Sequence, residues 1–358
     1  MSDSTAASGV YVHIPFCSSR CDYCAFATWT DRHHLTGDYL DAVATEIDRA
    51  VADGMPAATS IFVGGGTPSL VPADALVAVL DHIPRTADVE VTVEANPDAV
   101  TAESLRTYRA GGVTRMSFGV QSMAPEVLLS LGRTHDPDNV RRAVAWTKDA
   151  GFETFNLDLI MGAAAESDEA WARTLSEVVA LEPTHISAYS LTIEPGTPLA
   201  DDESRHPDDD DQATKYLHTV EALGSAGYDW YEVSNWALPG HECRHNRLYW
   251  DAGDYLGFGC AAHSHRDGRR WWNLRTPERY IEAVRSGDTT EATGETLDPE
   301  TRRIEALQLA LRTRGGVPVA ALDLDDPVLE GLVAVVADRA VLTPEGRLLA
   351  NEVAIRLR

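Results

Sequence analysis

A strand-then-helix rhythm runs through the first 225 residues of this 358-residue chain. Apolar, β-rich runs at 9–14, 60–63, 89–93, 114–118, 154–160 and 185–191 read as strands, and amphipathic stretches at 39–51, 73–82, 102–110, 138–150 and 168–181 read as the helices between them. Six β/α units with links this short imply an α/β fold, a parallel sheet curled into a full or partial barrel over 9–225. In such barrels the site forms at the C-terminal ends of the strands.

From about residue 226 the rhythm breaks, and Trp, Tyr, His and Asn accumulate over 228–272. Residues 226–297 read as a cover on the barrel. Residues 298–358 read as a small winged-helix-like α+β module: a helix from Pro299, a short strand pair with Pro344-Glu345-Gly346 at its turn, and a last helix. Residues 1–8 are small and polar and are expected to form a disordered leader. No apolar run reaches the ~18 residues a membrane span needs. A cytoplasmic protein is expected, with at most peripheral contact at the inner face of the membrane.

Charge narrows the partners. The chain carries 56 acidic and 30 basic residues, a net charge of −26, and its only lysines are Lys148 and Lys215. Such a surface repels phosphate backbones, which argues against a nucleic-acid partner. The acidic run at 208–211 reads as a solvated helix start or loop.

Three of the five cysteines, Cys17, Cys21 and Cys24, fall within eight residues directly after the first strand. A disulfide framework does not suit a long chain without a secretion signal. Structural zinc normally adds a fourth protein ligand and a second Cys pair, and the remaining Cys243 and Cys260 form no such pair. Three thiolates on one loop can instead hold three corners of a [4Fe-4S] cube and leave the fourth iron open.

The segment Tyr11-Val12-His13-Ile14-Pro15-Phe16-Cys17, with Cys21 and Cys24, resembles the radical S-adenosylmethionine (radical SAM) superfamily, and within it the coproporphyrinogen-oxidase-like branch. The resemblance extends from Tyr11 to the terminal module. It implies a partial (β/α)6 barrel, a cluster on the three cysteines, and SAM chelated at the open iron, where an electron from the cluster can cleave it. It also implies SAM contacts. Tyr11 and Tyr23 match contact positions, Tyr23 beside the adenine. Gly65, Gly66 and Thr67, within a glycine run that alone is equally a tight turn, match the segment holding the methionine ammonium. Glu94 and Gln121 match further contacts, Arg133 suits a carboxylate through its planar fork, and Asp158 matches the residue at the ribose hydroxyls.

Two features separate the chain from the oxygen-independent coproporphyrinogen III oxidases of that branch. Those enzymes carry a fourth cysteine two residues after the third, where this chain has Phe26, and a longer segment before the cluster, where this chain has 16 residues. Both weigh against oxidative decarboxylation in porphyrin biosynthesis, which stays the alternative. Further on, His245-Asn246-Arg247-Leu248-Tyr249-Trp250 resembles the signature of a heme-chaperone family, in which the histidine is implicated in holding heme before transfer. The implied cargo is heme, bound at His245, and the implied partners are acceptor hemoproteins of the respiratory chain. A His capped by Asn in a packed aromatic turn is the plain structural alternative. His241, Cys243 and His265 are selected by no spacing rule, and Cys260 reads as a small buried filler.

Overall fold

The computed structural model describes residues 8–358. The expected leader therefore lies outside the described residues, except for Ser8, which opens the first strand. Six strands run parallel and side by side in chain order: β1 (Ser8–Ile14), β2 (Ala58–Gly65), β3 (Arg85–Ala95), β4 (Arg115–Gln121), β5 (Thr154–Met161) and β6 (His185–Ser190). Helices α1 (Thr36–Ala52), α2 (Ala73–Asp81), α3 (Ala102–Ala110), α4 (Pro125–Ser130), α5 (Pro137–Asp149) and α6 (Asp168–Ala180) fill the connections. Their starts are written in short polar residues. Thr101 and Ser104 form a reciprocal capping box on α3, Asp136 caps α5 ahead of Pro137, and Ser167 caps α6.

Burial follows the strand and helix periods. All of β1 except Tyr11 is buried, because helices cover its outer face and barrel side chains its inner one. Helix α1 buries Tyr39, Leu40, Val43 and Ile47, one stripe at helical spacing. Asp208 caps the next helix, α7 (Asp209–Ser225), and Asp209, Asp210 and Asp211 sit in its first turn, where the helix dipole favours negative charge.

The 226–297 segment, expected as a cover, adds strands to both edges of the parallel sheet. Strands β7 (Asp229–Glu232) and β8 (Asn235–Ala237) form a hairpin whose β8 pairs antiparallel with β6. On the other side β9 (Asp254–Phe258) pairs parallel with β1, and β10 (His263–Arg266), β11 (Arg269–Asn273) and β12 (Glu291–Thr296) continue antiparallel. The result is one 12-stranded sheet with β12 and β7 at its free ends. The physical reason is edge satisfaction: β1 and β6 would otherwise show rows of unpaired main-chain groups. The barrel is thus partial, and this segment lengthens its wall. Helix α8 (Arg244–Trp250) lies between the two additions and packs on β1 and β2, while α9 (Pro277–Ser286) packs on α1.

One carboxylate ties the added strands to the barrel. Glu46 of α1 accepts hydrogen bonds from the Tyr280 hydroxyl (2.6 Å), the Thr290 hydroxyl (2.6 Å), Asn273 Nδ2 (2.9 Å) and the Gly259 main-chain N–H (3.0 Å). These donors come from α9, the link after it, β11 and the turn after β9.

The terminal region has its own sheet and core. Helix α10 (Pro299–Leu311) leads to β13 (Val317–Pro318), β14 (Val333–Val336) and β15 (Arg339–Leu342), ordered β13-β15-β14, then to α11 (Pro344–Leu348) and α12 (Ala350–Ala354). Leu311, Val317, Leu322, Leu329, Leu342 and Val353 form the separate apolar cluster beneath it. The strand-pair turn lies at Ala337-Asp338, not at Pro344-Glu345-Gly346. Pro344 instead opens α11, whose first turn is capped by the Thr343 side chain accepting from Gly346 N–H, since Thr-Pro is a helix-start pair. Among the described residues no helix is long and apolar enough to cross a membrane.

Removing the Glu46 carboxylate strands four donors at once. Glu46→Ala is expected to cost about 2 kcal/mol or more, measured as a shift of the urea unfolding midpoint; an unchanged midpoint would show that the added strands are held by other contacts.

Candidate functional site

The C-terminal ends of the parallel strands open onto a cavity of about 830 Å³. Cys17, Cys21 and Cys24 line it, together with Tyr23, Gly65, Gly66, Thr67, Glu94, Gln121, Arg133 and Asp158. Residues separated by as many as 141 positions in the chain, from Cys17 to Asp158, thus meet on one wall. Tyr11 is the exception among the expected contacts. It is not one of the cavity-lining residues, and its hydroxyl meets His13 Nδ1 at 3.2 Å inside the barrel.

The cysteine loop is held by its neighbours before any ligand is considered. Cys17 N–H donates to the Trp29 carbonyl (3.1 Å) and Trp29 N–H to the Pro15 carbonyl (2.8 Å), so the loop is closed at its base. Asp22 N–H donates to the Leu131 carbonyl (3.2 Å), and Arg205 donates to the Asp22 carboxylate (2.7 Å) and the Ser130 carbonyl (2.6 Å). Gly132 adopts a φ of +69°, and a Cβ there would sit 2.6 Å from Asp22 Oδ1. This clamp escaped the sequence reading because Asp22 and Arg205 carry no local signal and are 183 positions apart.

The glycine run is explained by the chain's own backbone. Gly66 N–H donates to the Ile14 carbonyl (2.7 Å) and Thr67 N–H to the Phe16 carbonyl (2.8 Å). A Cβ on Gly66 would lie 2.6 Å from the Phe16 carbonyl oxygen, so only glycine lets this loop approach the end of β1. Thr67 Oγ1 then sits 3.8 Å from Cys17 Sγ. Gln121 closes β4 with a φ of +66°, an unusual conformation for a side-chain-bearing residue, and it is almost wholly buried against the cavity. Strain of this kind concentrates at ligand sites.

The charges are arranged by sign. Arg133 donates through Nη2 to the Gly119 carbonyl (2.8 Å) and through Nε to His135 Nδ1 (3.2 Å), leaving Nη1 with only long contacts to Cys21 Sγ (3.6 Å) and the Tyr23 hydroxyl (3.5 Å). Opposite in sign, Glu94 and Asp158 share the floor. Burial, with the Asp158 charge adding to it, pushes the Glu94 carboxyl up to about 8. Burial also raises Asp158, against hydrogen bonds from Asn156 (2.7 Å) and Ser117 (3.2 Å). Burial raises the Cys17 and Cys24 thiols too. The acid pair is opposed, among the described residues, only by the buried Arg115 guanidinium, which favours the charged form of both, Arg133 has a nitrogen with only long contacts to offer an anion, and three thiols offer soft ligands. Among the described residues no three His, Cys, Asp or Glu side chains gather tightly enough for a single metal ion. This donor set fits a metal cluster beside a zwitterionic ligand.

His245, the expected heme ligand, lies elsewhere and does not line the cavity. It is fully buried on α8, at the N-terminal ends of β1 and β2, on the opposite side of the barrel from the cysteines. Nδ1 meets the Ser60 hydroxyl (3.0 Å) and Nε2 the Tyr249 hydroxyl (2.9 Å), and the ring stacks on Phe62. Burial drives its pKa down to about 3. Both ring nitrogens thus have hydroxyl partners in the ligand-free structure. Sequence reasoning also missed cavity-lining Tyr189 near the end of β6, His135 on a loop and Ser117 within β4, which have no telling spacing.

Residues 11–178 match the family model of the radical SAM superfamily. Over 363 residues the chain is 41% identical to the heme chaperone HemW of Mycobacterium tuberculosis, covering 96% of this chain and 93% of the relative. It is 37% identical to the heme chaperone HemW of Escherichia coli, covering 96% of each. The fold matches a solved structure of the Escherichia coli coproporphyrinogen III oxidase HemN with a TM-score of 0.85 at 24% identity, over 98% of this chain and 89% of that one. The chain belongs to the HemW family of the radical SAM superfamily.

Glu94 makes stability depend on pH. Its folded value of about 8 lies above the ordinary 4.5, so across that window the folded state binds more protons and loses stability as pH rises. In cluster-free protein, Glu94→Gln is expected to melt higher than the parent by a margin that grows from pH 5 to pH 8; a margin independent of pH in thermal melts would remove Glu94 as the cause.

Proposed function

We propose that this chain is a heme chaperone that carries a [4Fe-4S] cluster on Cys17, Cys21 and Cys24, binds SAM beside it, and delivers heme to acceptor hemoproteins. The observation that carries the cofactor half is the meeting of three thiols, the Glu94–Asp158 pair and Arg133 on one cavity. The near full-length likeness to proteins named heme chaperone carries the other half.

When bound, the cluster supplies a one-electron couple and an iron position left open by the protein. The chain's own residues divide the SAM contacts. Arg133, anchored on Gly119 and His135, offers Nη1 to a carboxylate. Gly65, Gly66 and Thr67 hold the ammonium end, where Glu94 supplies the matching charge once ionised. Asp158, steadied by Asn156 and Ser117, meets the ribose hydroxyls, Tyr23 lies beside the adenine, and Gln121 reaches in from its strained turn.

Phe26 supports delivery over synthesis. It is 68% exposed on the cavity rim, at the position where the oxidases of the resemblance have a further cysteine. An exposed phenyl ring supplies neither a thiolate nor a proton to a porphyrinogen.

Two measurements test this reading. Anaerobically reconstituted protein is expected to hold about four irons per chain with the brown absorption of a cluster, and Cys24→Ala to lose most of it. Holo-protein loaded with hemin should transfer it to an apo-hemoprotein, and conversion of coproporphyrinogen to protoporphyrinogen by the same preparation would overturn the chaperone assignment. Affinity for SAM should rise as pH increases toward about 8, where Glu94 ionises, and Glu94→Gln should flatten that dependence in equilibrium binding.

A further inference from the structure

Alternate residues of the parallel strands face the inside of the barrel, and that inside is polar. Met116, Phe118 and Val120 of β4 and Leu157 of β5 belong to the main apolar cluster. Their alternates, Arg115 and Ser117 on β4, Asn156 and Asp158 on β5, and Glu90 and Glu94 on β3, take the other face. The row ends at the cavity, where Ser117, Glu94 and Asp158 are lining residues. Arg115 lies below them and does not line it.

Hydrogen bonds in this row run toward Asp158. Its carboxylate accepts from Asn156 Nδ2 (2.7 Å), so the Asn156 carbonyl oxygen accepts from His185 Nδ1–H (2.7 Å), and His185 Nε2 in turn accepts from the Tyr231 hydroxyl (2.8 Å). At the far end of the barrel Glu90 is turned away, accepting from the Arg244 main-chain N–H (2.9 Å) at the start of α8. Arg115 stands between these acidic ends: its register partner Thr92 lies midway between Glu90 and Glu94 on β3. The guanidinium is enclosed, and among the described residues neither Nε nor Nη2 has a hydrogen-bond partner. Such burial is costly unless nearby charge offsets it. Here burial is outweighed by the acidic groups around it, Cys243, Glu90, Tyr231 and Asp158, so Arg115 stays charged.

We propose that Arg115 is a positioning residue for SAM: from beneath the floor it holds Glu94 and Asp158 as carboxylates, ready for the ammonium and the ribose hydroxyls. The proposal rests on the SAM reading of the cavity and deepens it. Two acids side by side repel each other, and burial opposes the charge of both; the Arg115 charge works against both effects. The other titratable groups around the pair are neutral. Tyr11 of β1, Tyr189 of β6 and Tyr249 of α8 are raised by burial, and His185 is lowered by it. Arg133, the arginine on the cavity wall, is turned to Gly119 and His135. Glu90 competes for Arg115 from the opposite end, so it acts on the pair with the reverse sign.

The test titrates SAM into the full-length, cluster-loaded protein at equilibrium between about pH 6 and 9. Arg115→Met is expected to move the midpoint of the affinity rise up by about one pH unit, which below the midpoint is about tenfold weaker binding, with iron content unchanged. Arg115→Lys restores the charge and should return the midpoint most of the way. Glu90→Gln keeps an oxygen for the start of α8 but removes the competing charge, and should move the midpoint down. SAM affinity lowered evenly at every pH in Arg115→Met, or a lysine variant that behaves like the methionine one, would overturn the positioning role and leave the SAM reading intact. If Arg115→Met does not fold, Glu90→Gln decides, and a midpoint unmoved or raised in that variant overturns the proposal. A parent protein that binds no SAM at all would overturn the SAM reading together with it.

Discussion

Two main-chain hydrogen bonds, Gly66 to Ile14 and Thr67 to Phe16, bring the loop after β2 onto the end of β1, and the rest of the cofactor cavity depends on them. They set where Cys17 leaves the sheet and where Thr67 stands beside it. The requirement for glycine at position 66 is therefore a packing requirement of the protein, satisfied before any ligand arrives. A ligand then meets a loop already braced on one side by this contact and on the other by the Asp22–Arg205 clamp. Preformed loops of this kind lower the ordering cost of binding.

Much of this architecture was legible in the chain. The alternation of strands and helices over 9–225 is a strong periodic signal, and the cysteine loop, Glu94 and Gln121 fall at strand ends because a parallel barrel puts its loops on one face, with Asp158 set within β5. The legible part ends where pairing becomes non-local. The β9–β12 strands join β1 across more than 240 residues of chain, a partnership set by an open sheet edge and not by any local pattern. Thr343-Pro344-Glu345-Gly346 misled for a different reason: Pro and Gly mark turns in general, but Thr before Pro is also a helix start, and here the capping bond decides.

His245 shows how a motif residue can be held by packing. A histidine in an aromatic, His-rich stretch suggests a metal ligand, yet burial in an apolar layer with both nitrogens bonded favours a neutral packing residue. Tyr11 is a milder case, with its hydroxyl on His13 inside the barrel and its side chain outside the cavity lining. In both, the residue identity was informative and the direction of the side chain was not.

The strands that carry the cysteine loop at one end carry the α8 helix at the other. Along β2 and just past it, Ser60 meets His245 of α8 and Gly66 meets the end of β1, six residues apart, which at strand geometry is a span of roughly 20 Å. The strand is thus a ruler as well as a wall. Its length fixes the distance between the cysteine loop at one end and the packing of α8 at the other, so that neither can shift along the sheet without the strand shifting with it.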